Sequence, residues 1–161
     1  MPIDRVGIGY DIHRLVTGRR LILAHVPIEF DRGPLGHSDG DVVLHAVIDA
    51  LLGAAGLPDI GQMFPDTDPQ YKDADSVDLL ACALEAVRAA GYEPVNVDIV
   101  VHAERPKLAP HKAAMRAELA RLLGLAGDCV NLKAKTGEGL ASIGTGEAIA
   151  CTAVAGLRIA G

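Results

Sequence analysis

Aromatic side chains are scarce in this 161-residue chain: three tyrosines, two phenylalanines and no tryptophan. Half of the residues are hydrophobic, so any core must be aliphatic. Cysteine is also rare. Cys82, Cys129 and Cys151 are odd in number and show no C-x-x-C spacing, so they read as small core residues in a reducing compartment rather than a disulfide framework. No stretch reaches the ~20 apolar residues of a membrane span. The longest apolar run, Val42–Leu52, is broken by His45 and Asp49. The N-terminus, MPIDRVGIGYDIH, lacks the charged, apolar and small-residue pattern of a signal peptide, and the expected location is cytoplasmic. There is no Lys/Arg cluster and the net charge is −6, which argues against nucleic acid as a partner. A phosphate-ester ligand would therefore need local positive potential from a metal ion, a few lysines and backbone N–H groups. Walker A, H-E-x-x-H and G-x-S-x-G motifs are absent, and Gly7-x-Gly9 lacks the third glycine of a dinucleotide fingerprint.

What is present is an ordinary single domain, 1–161, long enough to bury roughly two-thirds of its unfolded surface. Val6–Ile12 reads as a strand whose Gly7 and Gly9 imply close backbone approach or a bulge. Leu21–Ala24 and Val26–Phe30 form a small hairpin, and Asp31–Gly40 is a loop. Asp41–Ala55 is a helix with Leu44, Val47, Ile48, Leu51 and Leu52 at helical spacing and Gly56 as its stop. Asp59–Tyr71 is a functional-length loop. Asp75–Ala90 is a second helix, capped by Asp75 or Ser76 and ended by Gly91. Val95–Ala103 alternates as a strand, Lys112–Leu123 is a third helix ended by Gly124, and Val130–Lys135 is a strand. A Gly-rich segment, Thr136–Gly146, leads into a final strand, Ala148–Ile159, apolar on both faces. This order predicts an α+β fold with helices on one face of the sheet. The other face is then a candidate for cover by a second subunit.

The chemistry concentrates in GYDIH and in Leu35–Asp49, LGHSDGDVVLHAVID. A period of two puts Asp11 and His13 on one face of a strand. His45 lies on the following helix, and the three form a candidate zinc site with an open fourth position. Spacing alone does not separate this from a satisfied helix histidine beside a turn aspartate. Asp41 and Asp49, at i−4 and i+4 from His45, are candidate hydrogen-bond partners of its imidazole. His37 and Ser38 precede the helix start, where unpaired N–H groups favour phosphate. Lys133, Lys135, Thr136 and Glu138 end a strand in a Gly-flanked turn suited to a diphosphate with a hard cation, or form a solvated strand end. Cys82, Met115 and Phe30 read as core residues.

Five blocks, GYDIH, GHSDGDVVLHAVIDALLGAAGLPDIG, FPDTDP, ERPKLAPH and KAKTGEGL, resemble the 2-C-methyl-D-erythritol 2,4-cyclodiphosphate synthase family of the non-mevalonate isoprenoid pathway. The resemblance runs almost end to end, with the blocks in order. It implies a chorismate-mutase-like fold and a homotrimer with active sites between subunits. The implied reaction converts 4-diphosphocytidyl-2-C-methyl-D-erythritol 2-phosphate into the cyclic diphosphate plus CMP. By resemblance, Asp11, His13 and His45 bind one Zn²⁺ per subunit, and Asp11 and His13 also border the substrate. His37 and Thr136 stabilise the transition state, with Ser38 beside them. Glu138 holds a Mg²⁺ or Mn²⁺ on the substrate diphosphate, in a turn with Lys135 and Gly137. Asp59, Ile60 and Gly61, with Phe64, Pro65, Asp66, Thr67 and Asp68, surround the erythritol portion. Ala103 to Ala109, including Pro106, Lys107 and Leu108, receive the cytidine. Ser142 stands where an aromatic is common in the family, and Thr145 where many members carry the arginine of G-R-G-E-G. Two rival readings use the same residues. One is a zinc hydrolase with Asp66 or Asp68 as base. The other is a non-catalytic trimeric module whose structural metal takes a fourth ligand from His25, His37 or His111.

Overall fold

In the computed structural model, which describes residues 2–161, the first strand is much longer than its apolar alternation suggests. Strand β1 spans Arg5–Thr17, because its far end pairs with a short strand inside the expected Asp31–Gly40 loop. The hairpin follows as β2 (Leu21–Leu23) and β3 (Val26–Ile28), and that short strand is β4 (Arg32–Pro34). Helix α1 covers Val42–Ala55, with Asp41 as N-cap and Gly56 in the left-handed conformation (φ 72°) closing its C-terminus. The expected loop Asp59–Tyr71 contains one helical turn, α2 (Ile60–Met63), and a 3₁₀ turn at Pro69–Tyr71.

Helix α3 spans Ser76–Ala89 with Asp75 as cap, and strand β5 spans Tyr92–His102. Helix α4 (Lys112–Leu123) ends at Gly124 as expected, and β6 is Val130–Lys135. The Gly-rich segment holds a short helix, α5 (Ala141–Gly144), before β7 (Ala148–Ile159).

The main sheet has the order β4-β1-β7-β5-β6, antiparallel throughout except for the parallel β5–β6 pair. Helix α1 lies across β1, β7 and β5, α3 packs beside it, and α4 covers β6. The mixed sheet thus has its helices on one face. Close approach is what Gly7 and Gly9 supply. A Cβ at Gly9 would sit 1.9 Å from the Ala46 carbonyl oxygen, and one at Gly7 2.0 Å from that of Ala50. Alanines 46, 50 and 54 on α1 keep the facing surface flat enough for this contact.

On the opposite face, Val6, Ile8, Tyr10 and Ile12 of β1 are 65%, 69%, 56% and 43% exposed, with Val154 of β7 beside them. A continuous apolar stripe is therefore open to solvent on the single chain. The cysteines depart from expectation: Cys151 is buried, but Cys129 is half-buried and Cys82 exposed. Position 82 lies one residue before Ala83, about 100° round the helix. That is outside the buried stripe of Leu79, Leu80, Ala83, Leu84 and Val87. Met115 is fully buried, while Phe30 is only half-buried against the core.

Candidate metal centre and active site

Gly7, Gly9, Asp11 and His13 share the helix-facing side of β1. Where the glycines give way to longer side chains, α1 presents His45. The Nδ1 atoms of His13 and His45 each lie 3.1 Å from Asp11 Oδ2. The two rings stand 5.6 Å apart, and one ligand atom from each of the three residues falls within 4.8 Å of the others. His13 Nδ1, though close to the carboxylate, is a buried ring nitrogen with no hydrogen-bond partner. Burial raises the Asp11 carboxyl, but the His13 and His45 imidazoles outweigh it and the net shift is downward. Burial lowers the His45 imidazolium, but the Asp11 carboxylate outweighs it and the net shift is upward. Two imidazoles and one carboxylate converging on an unsatisfied nitrogen fit a divalent cation with a position left open.

The surroundings of His45 differ from the sequence reading. Asp41 does not touch the imidazole. It is fully buried, and its Oδ1 accepts from Ala24, Val43 and Leu44 N–H and its Oδ2 from His25 N–H. Burial of this carboxyl pushes its pKa up to about 6 against those hydrogen bonds. Asp41 thereby closes the helix start, and no free N–H cluster is left there for phosphate. Asp49 instead accepts from Ile60 N–H at 2.8 Å and holds the start of α2. The partner of His45 Nε2 is Ser76 Oγ, at 2.8 Å, and the Ser76 hydroxyl donates in turn to Asp39. Neither Ser76 nor Asp39 stands at a helical spacing from His45 that a sequence pattern would flag.

A cavity of about 850 Å³ opens beside the metal cluster. His13, His37, Ser38, His45, Ile60, Gly61, Phe64, Asp66 and Thr67 line it. The Arg19 guanidinium holds the His37 loop by donating to the carbonyls of Pro34, Gly36 and Ser38. Asp59 and Asp68 are not among the lining residues and are committed to capping: Asp59 accepts from Gln62 N–H and Asp68 from Gln70 N–H. Phe64 meets Tyr71 edge-on, with ring centroids 5.3 Å apart. Tyr71, Lys72 and Leu79 also line the cavity and were not anticipated. Lys72 directly follows the FPDTDPQY loop and is the one lysine or arginine among the described lining residues.

The remaining candidates gather elsewhere, at the ends of β5 and β6. Ala103 N–H donates to Lys135 O at 2.9 Å, and Gly137 N–H to Glu104 Oε2 at 2.9 Å. The Arg105–Pro106 bond is cis. Lys107, Ala109, Lys135, Thr136 and Glu138 are exposed, whereas the Leu108 side chain is in the core and only its backbone can meet a ligand. Ser142 lies within α5 and Thr145 caps its C-terminus, the two tied together by Thr145 Oγ1 donating to Ser142 O. This second group shares a transverse row with the candidate metal ligands: Ile12 pairs with Ala150, Ala150 with His102, and His102 with Lys135. Both groups lie at the same end of the sheet, separated by three strand spacings, about 14 Å.

Residues 4–158 match the model of the YgbB family. The 2-C-methyl-D-erythritol 2,4-cyclodiphosphate synthase of Bordetella avium (strain 197N) is 60% identical over 150 residues, 93% of each chain. A solved structure of 2C-methyl-D-erythritol-2,4-cyclodiphosphate synthase in its CDP-bound form superposes with a TM-score of 0.90 at 42% identity. It covers 96% of this chain and 100% of that one. The CDP complex of the Plasmodium falciparum protein superposes with a TM-score of 0.85 at 33% identity, covering 98% and 97%. On this near-complete coverage, by sequence and by fold, the chain belongs to the YgbB family, that of the 2-C-methyl-D-erythritol 2,4-cyclodiphosphate synthases.

Proposed function

We propose that this chain is a metal-dependent cyclase, acting as one catalytic domain in a cytoplasmic homotrimer. It converts 4-diphosphocytidyl-2-C-methyl-D-erythritol 2-phosphate into 2-C-methyl-D-erythritol 2,4-cyclodiphosphate and CMP. The observation that carries this reading is the division of the site. A cavity with three metal donors lies at one side of the sheet end, and a lysine- and carboxylate-bearing turn lies about 14 Å away on the same row. One substrate spans both if neighbouring subunits bring the β1 end of one chain against the β6 end of the next. The open Val6–Ile12 stripe supports such an assembly, since exposed contiguous apolar surface marks an interface.

Asp11, His13 and His45 would hold Zn²⁺, and Glu138 would hold Mg²⁺ or Mn²⁺. When bound, the two cations offset the negative charge that accumulates on the phosphates during the displacement. The chain's own residues orient the substrate. Asp59 to Gly61 and the Phe64–Asp68 loop enclose the erythritol, and Ala103 to Ala109 take the cytidine. His37 and Ser38 meet phosphate oxygens from one subunit, while Lys135 and Thr136 meet them from its neighbour. The substrate's 2-phosphate oxygen bonds to the β-phosphorus, the bond to the CMP oxygen breaks, and CMP leaves with that electron pair. The nucleophile is already ionised, so the protein supplies the in-line pose rather than a general base.

Incubation with this substrate in ¹⁸O-water tests the reading. Cyclisation yields CMP and an unlabelled cyclic diphosphate. Label in a phosphate product would instead show hydrolysis by a metal-bound hydroxide and overturn it.

A further inference from the structure

The donor inventory around Ser76 fixes more than a set of contacts. Asp39 Oδ1 accepts from the Ser76 hydroxyl and from Asp41 N–H at 3.1 Å, and Oδ2 accepts from Ser76 N–H at 3.1 Å. A carboxylate only accepts, so the single hydroxyl proton of Ser76 is directed at Asp39. Ser76 Oγ, 2.8 Å from His45 Nε2, must then act as acceptor towards the ring. The proton of a neutral His45 therefore sits on Nε2, and the lone pair on Nδ1 points at Asp11 Oδ2, 3.1 Å away. Two acceptors face each other there across 3.1 Å, beside His13 Nδ1, which makes no hydrogen bond. Ser76 is fully buried, so its hydroxyl is shielded from solvent between its two partners.

We propose that Asp39 and Ser76 form a relay that fixes the His45 tautomer and presents Nδ1 to the metal, making both positioning residues of the metal site. The inference rests on the reading of Asp11, His13 and His45 as metal ligands. It also explains a join in the fold: Asp39 lies just before α1, and Ser76 is the first residue of α3. The two helix starts are thus locked together through the ligand they support. A relay of this kind raises the basicity of the imidazole and removes the competing tautomer, in which Nδ1–H would occlude the cation.

Zn²⁺ affinity, measured by competition with a chromophoric chelator, tests the relay without reference to turnover. Ser76→Ala is expected to weaken Zn²⁺ binding about 10- to 100-fold with helix content unchanged. In the zinc-loaded wild type, ¹⁵N–¹H correlation is expected to place a slowly exchanging proton on His45 Nε2, and that protection is lost in Ser76→Ala. Asp39→Asn provides a second arm should Ser76→Ala fold poorly. An amide at 39 can donate to Ser76 Oγ and free its hydroxyl to turn towards Nε2, so Zn²⁺ binding weakens here too. Tight wild-type binding with both variants within about twofold of it would overturn the relay alone. So would a zinc-loaded wild type that carries the His45 proton on Nδ1. A wild type that fails to bind Zn²⁺ would overturn the metal-site reading together with the relay.

Discussion

At the residue scale, polar side chains in this protein join elements that lie far apart in the chain. His25 Nδ1 pairs with Glu118 Oε1 at 2.9 Å, while the His25 backbone N–H donates to the buried Asp41. Arg121 and His25 together hold the Glu118 carboxyl down at about 2 from 4.5, and Glu118 raises His25 above 6.5. The signs define a window. The Glu118 contribution is present above pH 4.5 and lost as pH falls towards 2. The His25 contribution is present below pH 6.5 and lost as pH rises through its folded value. Glu118→Gln should therefore lower the melting temperature by a few degrees near about pH 5.5, less at about pH 9 and least at about pH 2. Thermal scans across that range check it. At this scale the sequence was legible where chemistry follows a local period, as for Asp11, His13 and His45. It was opaque where a contact depends on tertiary placement. Ser76 reaches His45 from 31 positions away. Asp41, at the i−4 spacing expected of a partner, is instead committed to backbone N–H groups.

Elements are positioned mainly by the contact between β1 and α1. Because the backbones meet at Gly7 and Gly9, the strand ligands and the helix ligand arrive at a common point without a loop between them. Gly9→Ala places a Cβ 1.9 Å from a helix carbonyl. It should cost at least about 2 kcal/mol, lowering the melting temperature by roughly 5 °C or more. Zn²⁺ content should fall with it, since separating strand from helix also separates His13 from His45. Calorimetry with metal analysis checks both. Helix ends at Gly56 and Gly124 were legible because glycine at a left-handed cap is a local signal. Strand β4, Arg-Gly-Pro, was not: it has no β-prone residue and exists only because the extended end of β1 offers it a partner. The short turns α2 and α5 were hidden for the same reason, lying among residues that read as loop.

For the whole molecule, the proposed active site is a property of an assembly. The two-sided apolar character of β7 was readable in the sequence and pointed to cover on both faces of the sheet. The exposed row Val6, Ile8, Tyr10 and Ile12 locates the uncovered face. A charge there, as in Ile8→Glu, should yield monomers by light scattering with helix content unchanged, and cyclase activity should disappear with the assembly. Subunit mixing addresses the shared site itself. His45→Ala removes a proposed metal ligand from one half-site, and Glu138→Gln alters the proposed second-cation residue of the other, so each variant should be inactive alone. After equal amounts are mixed and exchange is verified by mass spectrometry, about a quarter of the sites should combine two intact halves. CMP release should then recover to about a quarter of the wild-type rate. Complete inactivity in verified mixed trimers would contradict a site built between neighbouring subunits.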